Sequence, residues 1–146
     1  MKHKQQILFD LDDTLIHCNK YFGLVLSDFF QLLQDWFADY ELTTSEIRDK
    51  QIEIDIASVH IVGFKSGNFP TSLIQTYRFF SQKCHRMTHP LEEEQLLKLG
   101  LSVYDLEVEP YPGMIETLET LKSDGHQLYL YTGGENAIQQ RKIDQM

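Results

Sequence analysis

The sequence predicts an α/β fold, a small parallel sheet with an all-helical insertion placed after its first strand. Three observations carry that expectation. The stretch ILFDLDDTL, Ile7 to Leu15, runs an apolar segment into a cluster of carboxylates, Asp10, Asp12 and Asp13. A second apolar stretch, HQLYLYTGG from His126, ends in Thr132, Gly133 and Gly134. Between the two, apolar residues recur at intervals of three and four, the period of amphipathic helices.

Taken in order, residues 5–10 read as a short, nearly all-apolar strand of the kind buried on both faces of a parallel sheet. Phe22, Val25, Phe29, Leu33, Trp36 and Tyr40 then fall on one helical stripe, widened by Leu26, Phe30 and Phe37. Thr43 or Thr44 is placed to cap a second helix, with Ile47, Ile54, Ala57 and Ile61 along one side. Within it QIEIDI also alternates with a period of two, so a strand competes there. GFKSGNFP, with two glycines and a proline, predicts a loop. Leu73, Tyr77, Phe80, Cys84 and Met87 mark a third helix. Pro90 opens a fourth, carrying Leu96, Leu97, Leu101 and Tyr104. EPYPGM breaks the chain. A helix then runs from Gly113 through Ile115, Leu118 and Leu121 to Gly125, a natural residue just past a helix end. HQLYLYTGG is the second buried strand, and ENAIQQRKIDQM begins a last helix. With the insertion set aside, strand–helix–strand remains, the unit from which parallel sheets are built.

Composition narrows the function. The 146 residues are 42% hydrophobic and 24% charged, an ordinary globular balance. A net charge of −9 argues against nucleic acid or an anionic membrane as the main partner. It leaves room for an anionic small molecule, since a metal ion and helix N-termini create local positive sites. Cys18 and Cys84 show no paired or metal-ligand spacing, and no apolar run reaches the length of a signal core or a membrane span. A reduced, cytoplasmic protein is expected.

Ligands of parallel sheets bind beyond the carboxyl ends of the strands, and Asp10 and Thr132 lie at two such ends. Alternate strand residues face one side, so Asp10 and Asp12 can project together. Such a pair suits a nucleophile beside a proton donor. Equally, it suits a hard cation such as Mg2+. Thr132 would offer a hydroxyl to a phosphate oxygen, and Gly133 and Gly134 would let backbone N–H groups approach closely. The plain alternatives are a solvated acidic turn and an ordinary strand-end threonine. A calcium-binding loop is disfavoured, because Thr14 and Leu15 stand where it needs an acidic or amide residue and a glycine.

ILFDLDDTL resembles motif I of the haloacid dehalogenase-like superfamily, an apolar strand followed by DxDx(T/V). LYLYTGG is similar to its motif II, and YPGMIETLETLKSDGHQLYLYT follows the family's usual approach to that motif. The helical region between them resembles a cap inserted just after motif I, and the likeness extends over essentially the whole chain. It implies a Rossmann-like parallel-sheet core from residues 1–16 and 109–146, with two of its strands here, and an α-helical cap over 17–108. It implies a Mg2+-dependent phosphomonoester hydrolase acting on a small phosphorylated metabolite through an aspartyl-phosphate. Asp10 would be the nucleophile, and Asp12 would protonate the leaving oxygen and then activate water. Mg2+ would bind the Asp10 carboxylate and the Asp12 backbone carbonyl. Thr132 and Gly133 would orient the phosphoryl group, and Thr14 would help fix the loop beside it. The cap would close over the substrate, with His17, Asn19 and Lys20 at its hinge and Lys65, Ser66 and Asn68 on a loop that could reach the site. Dehalogenases of the family typically lack the second aspartate of motif I, so Asp12 favours a phosphatase. The alternatives are a non-catalytic binding module of this fold and an enzyme of other chemistry, a dehalogenase or phosphomutase.

The resemblance also implies a later lysine and later acidic residues. Only 14 residues follow Thr132 here, and Lys142 sits too early to be that lysine. The chain therefore reads as truncated after motif II, and these residues alone are expected to turn over substrate weakly or not at all.

Overall fold

The structure, a computed structural model, describes residues 3–63 and 65–146; Phe64, in the GFKSGNFP loop, lies outside the described residues, as do Met1 and Lys2. In chain order come strand β1 (Gln6–Phe9) and helices α1 (Asn19–Trp36), α2 (Thr44–Val62), α3 (Asn68–Lys83), α4 (Pro90–Ser102) and α5 (Met114–Ser123). Strand β2 (Gln127–Leu130) and helix α6 (Asn136–Asp144) complete the chain, and a 3-10 turn, Ala38–Tyr40, follows α1. The chain divides into two compact units. One is the segment up to Tyr21 together with Glu107–Met146, and the other is Phe22–Leu106.

In the first unit β1 and β2 pair in parallel, with Gln6 opposite Gln127 and Phe9 opposite Leu130. Parallel neighbours need a crossover, and the chain supplies one through α5, which packs against β2. Leu11, Leu15, Ile16 and Met114 form the buried centre, flanked by Phe9, Val108, Leu118, Ile143 and Met146. The sequence expectation of strands buried on both faces is corrected here. Leu8 is 70% exposed, and Tyr129 and Leu130 are exposed as well. Two paired strands with one helix against them cannot enclose both faces of a sheet.

The second unit is all helical. Thr43, not Thr44, caps α2. Its hydroxyl accepts from the Glu46 N–H at 3.1 Å while the Glu46 carboxylate accepts from the Thr43 N–H at 3.1 Å. This reciprocal cap settles the QIEIDI ambiguity in favour of a helix. Phe29, Leu33, Phe37, Ile47, Leu73, Tyr77, Phe80 and Leu96 are all essentially without exposure. Among them the buried Gln51 donates to the Ser72 hydroxyl at 3.0 Å, which donates in turn to the Phe69 carbonyl at 2.6 Å. These core polar groups are therefore satisfied rather than stranded.

Several predicted stripes shift. The loop is shorter than GFKSGNFP, because α3 already begins at Asn68. That helix ends at Lys83, which leaves Met87 79% exposed instead of on its apolar face. Ala57 is exposed and Ile61 is 81% exposed, since burial along α2 fades after the turn containing Ser58 and Val59. On α4 the inward residues are Leu96, Gly100 and, just beyond its end, Val103, while Leu97 and Leu101 face outward.

Gly100 of α4 packs tightly against Pro70 of α3. A Cβ there would stand 2.6 Å from Pro70 Cα and 2.8 Å from Pro70 Cβ. An exposed helical Gly→Ala change gains about 1 kcal/mol, but forcing a methyl into packed backbone costs about 1–3 kcal/mol. The obstructing atoms belong to the backbone and ring of a proline, which cannot rotate aside. Gly100→Ala is therefore expected to destabilise the protein by a net ~0–2 kcal/mol, seen as a lowered urea midpoint; a raised midpoint would show that the two helices can separate freely.

Candidate active site

The site lies where β1 and β2 end. The Tyr131 N–H still donates to the Phe9 carbonyl at 2.8 Å, after which the two chains diverge. Past β1 the inside–outside alternation persists without the ladder. Leu11 is fully buried in the core of its unit, so Asp10 and Asp12 on either side of it turn outward. The chain then closes a tight turn in which the Leu11 carbonyl accepts from Thr14, Leu15 and Ile16 N–H at 3.3, 3.0 and 3.2 Å. Asp13 takes a left-handed φ of 57° in this turn, a conformation that Asp tolerates better than most residues. Its carboxylate accepts from the Cys18 N–H at 2.9 Å and the Asn19 N–H at 3.0 Å, satisfying otherwise orphaned donors at the start of α1. Asp13 thus shapes the turn and caps the helix.

Asp10 is solvent-exposed, and its Oδ2 accepts from the Thr14 hydroxyl at 3.2 Å. Asp12 is half-buried and faces α6. Its Oδ1 lies 2.8 Å from Lys142 Nζ, and its Oδ2 accepts from Gln139 Nε2 at 3.1 Å. The same Gln139 nitrogen donates to the Thr132 hydroxyl at 2.6 Å. One buried amide therefore joins the end of the first strand to the end of the second. With its oxygen already accepting, the Thr132 hydroxyl keeps its own hydrogen to donate, now weakly to the Gly133 carbonyl at 3.3 Å. Cys18 adjoins the same carboxylate. Burial first, then the negative charge of Asp12, push its thiol up to about 11, so it stays protonated near neutral pH.

After Thr132, Gly134 adopts φ 96°, which suits glycine. α6 does not start at Gly133, because Glu135 is its N-cap and Asn136 its first residue. The glycines therefore form a turn ahead of the helix. Beside Thr132 a shallow recess is lined by Gly134, Asn136, Ala137, Gln139, Gln140 and Ile143. Of the expected hinge residues, Lys20 pairs with Glu109 at 2.6 Å and the His17 ring lies 4.0 Å from that of Tyr111. Both contacts tie the outgoing and returning strands of the chain together.

Sequence reasoning missed Gln139, and it set Lys142 aside only as too early in the chain to be the later lysine that the resemblance implies. The structure brings Lys142 to Asp12 instead. The available signal was spacing. Gln139, Lys142 and Ile143 stand at i, i+3 and i+4, so the face that buries Ile143 also carries the two polar groups inward.

Among the described residues, no three His, Cys, Asp or Glu side chains converge to hold a metal. Mg2+ does not require such a cage, since it commonly takes one or two carboxylates, substrate phosphate oxygens and water. The exposed Asp10 carboxylate with the Asp12 backbone carbonyl fits that partial role. The Asp12 side chain does not, because Lys142 and Gln139 engage its two oxygens.

The sequence profile of the haloacid dehalogenase-like hydrolases matches residues 5–146. None of the curated proteins matches the chain. Among solved structures, a haloacid dehalogenase-like family hydrolase from Xanthomonas campestris superposes with a TM-score of 0.77 at 20% identity, over 97% of this chain and 56% of its own. A dehalogenase (TM-score 0.46, 21% identity, 99% of this chain and 57% of its own) is a looser likeness. So is a predicted phosphoglycolate phosphatase from Haemophilus somnus 129PT (TM-score 0.47, 16% identity, 94% and 55%). The chain thus spans little more than half the length of these structures.

Proposed function

The chain belongs to the haloacid dehalogenase-like hydrolases, and from that premise we propose that the protein hydrolyses a small phosphorylated metabolite through an aspartyl-phosphate. The observation that supports this most is the Gln139 bridge, which joins Asp12 of one motif to Thr132 of the other. A nucleophile, a proton carrier and a hydrogen-bond donor for the phosphate can then serve one phosphorus atom.

In the proposed sequence an Asp10 oxygen attacks phosphorus, the bond from phosphorus to the leaving oxygen breaks, and a proton from Asp12 goes to that oxygen. Water then attacks the aspartyl-phosphate and gives a proton to Asp12, which frees phosphate and restores Asp10. Thr132 donates to a phosphoryl oxygen while the backbone at Gly133 approaches another. Thr14 holds the Asp10 carboxylate in orientation. A bound Mg2+, held by the Asp10 carboxylate and the Asp12 carbonyl, would reduce the charge repulsion between carboxylate and phosphate. The helical unit is proposed to act as the cap that selects the leaving group. Asp12 favours this chemistry over dehalogenation, in which no alkoxide needs a proton.

Phosphate release from 4-nitrophenyl phosphate by the full-length protein tests the reading. Turnover is expected with MgCl2 and is expected to vanish with EDTA. No turnover with any phosphomonoester of a broad panel would favour the non-catalytic alternative, and metal-independent turnover would remove the role given to Mg2+.

A further inference from the structure

We propose that Lys142 and Gln139 are positioning residues for Asp12, fixing the side chain that, once protonated, gives its proton to the leaving group and takes one back from water. The inference rests on the functional reading above and adds two residues that neither motif contains.

Three observations carry it. Lys142 and Gln139 bind different oxygens of Asp12, at 2.8 and 3.1 Å, so both the direction and the rotation of the carboxylate are set. The arrangement is sheltered. Gln139 is 6% exposed, and the side chains of Lys142 and Asp12 are 22% and 32% exposed. Finally, the clamp is anchored at both ends. Gln139 also holds Thr132 at 2.6 Å, and Ile143, next to Lys142, packs on the cluster that contains Leu11. A lysine kept only for solubility would have no reason to sit at this point. A lysine that steadied the nucleophile would be expected on Asp10, whereas this one is on the proton carrier.

Positioning can be told apart from a merely structural role by the leaving group. An alkoxide needs a proton as the bond to phosphorus breaks, whereas 4-nitrophenolate departs without one. Steady-state kcat/KM, which covers the steps up to phosphoryl transfer to the enzyme, is measured on the full-length protein with an alkyl phosphate and with 4-nitrophenyl phosphate. General acid catalysis is worth about 10²–10⁴-fold. Lys142→Met is therefore expected to lower kcat/KM by roughly 10²-fold for the alkyl ester and by less than about tenfold for the nitrophenyl ester. Lys142→Arg is expected to restore most of the loss. Lys142→Gln is measured alongside, because it keeps a donor, on a shorter stem, if the methionine variant folds poorly.

Equal losses on both esters, or no loss, overturn the inference. So does failure of all three variants to fold, which would make Lys142 a structural residue. The functional reading fails separately, by wild-type turnover that survives Asp10→Asn. Turnover that needs Asp10 but shows no leaving-group dependence removes only the clamp.

Discussion

Asp10→Asn is expected to abolish Mg2+-dependent phosphate release, lowering kcat by about 10⁴-fold or more, while the protein remains folded. The size follows from the role. The oxygen that attacks phosphorus has no substitute, and an amide is a far weaker nucleophile than a carboxylate. A loss of 10⁴-fold corresponds to ~5.5 kcal/mol of transition-state stabilisation. The fold should survive because the Asp10 side chain is exposed and contributes to no core. Its contact is the 3.2 Å bond from Thr14. Such surface changes normally stay within about 0.5 kcal/mol of stability. Two measurements check the claim together. Thermal melting should be nearly unchanged, and acid quenching during turnover of a 32P-labelled ester should trap protein-bound phosphate on the wild type but not on Asp10→Asn. That phosphate should be released by hydroxylamine, as acyl phosphates are. Substantial turnover by the variant would move the nucleophile elsewhere or replace it with water.

The site was legible in the sequence where it depends on local order, and hidden where it depends on assembly. Asp10 and Thr132 could be placed because a parallel strand delivers its last residues to one edge, and the apolar runs before them identify the strands. That Asp10 and Asp12 can project together followed from strand alternation, while the role expected of Asp12 came from the family resemblance. Gln139 and Lys142 could not be read so directly. On a helix without a clear apolar stripe, polar residues look solvated, and only the docking of α6 through Ile143 turns them inward. The same limit explains the strands. Their composition predicted burial on both faces, yet burial is decided by how many layers surround a sheet, and Leu8 is left open. It explains α4 too. Leucines predicted the stripe through Leu97 and Leu101, but close approach to Pro70 selected the face with Gly100, which no hydrophobic pattern can reveal. Two helical features were local enough to be read in advance, a threonine cap at Thr43 or Thr44, which the structure places at Thr43, and the stop at Gly125 with its φ of 90°.

Tyr77→Ala is expected to be the most damaging change in the helical unit, costing roughly 4.5–8 kcal/mol. Tyr77 has no exposure, and its ring meets Trp36 and Phe37 with centroids 5.6 and 6.2 Å apart. Removing a buried aromatic ring alone leaves a cavity worth roughly 3–5 kcal/mol. The hydroxyl adds to this. It donates to Glu92 Oε1 at 2.5 Å and accepts from the His89 N–H at 3.0 Å, at the start of α4. Glu92 also receives both Arg86 terminal nitrogens, at 2.7 and 2.9 Å. Tyr77→Phe keeps the ring and loses only these bonds, so it should cost about 1.5–3 kcal/mol, the range for a hydrogen bond to a charged group. The two variants separate ring from hydroxyl, and pH separates the hydroxyl's two partners. Arg86 first, and then the Tyr77 hydroxyl, hold the Glu92 carboxyl below its ordinary 4.5. A carboxyl with a depressed folded value contributes stability that is present above the unfolded value and lost as pH falls through the folded one. The gap in urea midpoint between wild type and Tyr77→Phe should therefore be full near neutral pH and narrow as pH drops below 4.5. The gap for Tyr77→Ala should narrow by the same amount and then level off, because the cavity does not titrate. A Tyr77→Phe gap that stays constant through the acid range would place the hydroxyl's contribution on the His89 N–H instead of on Glu92.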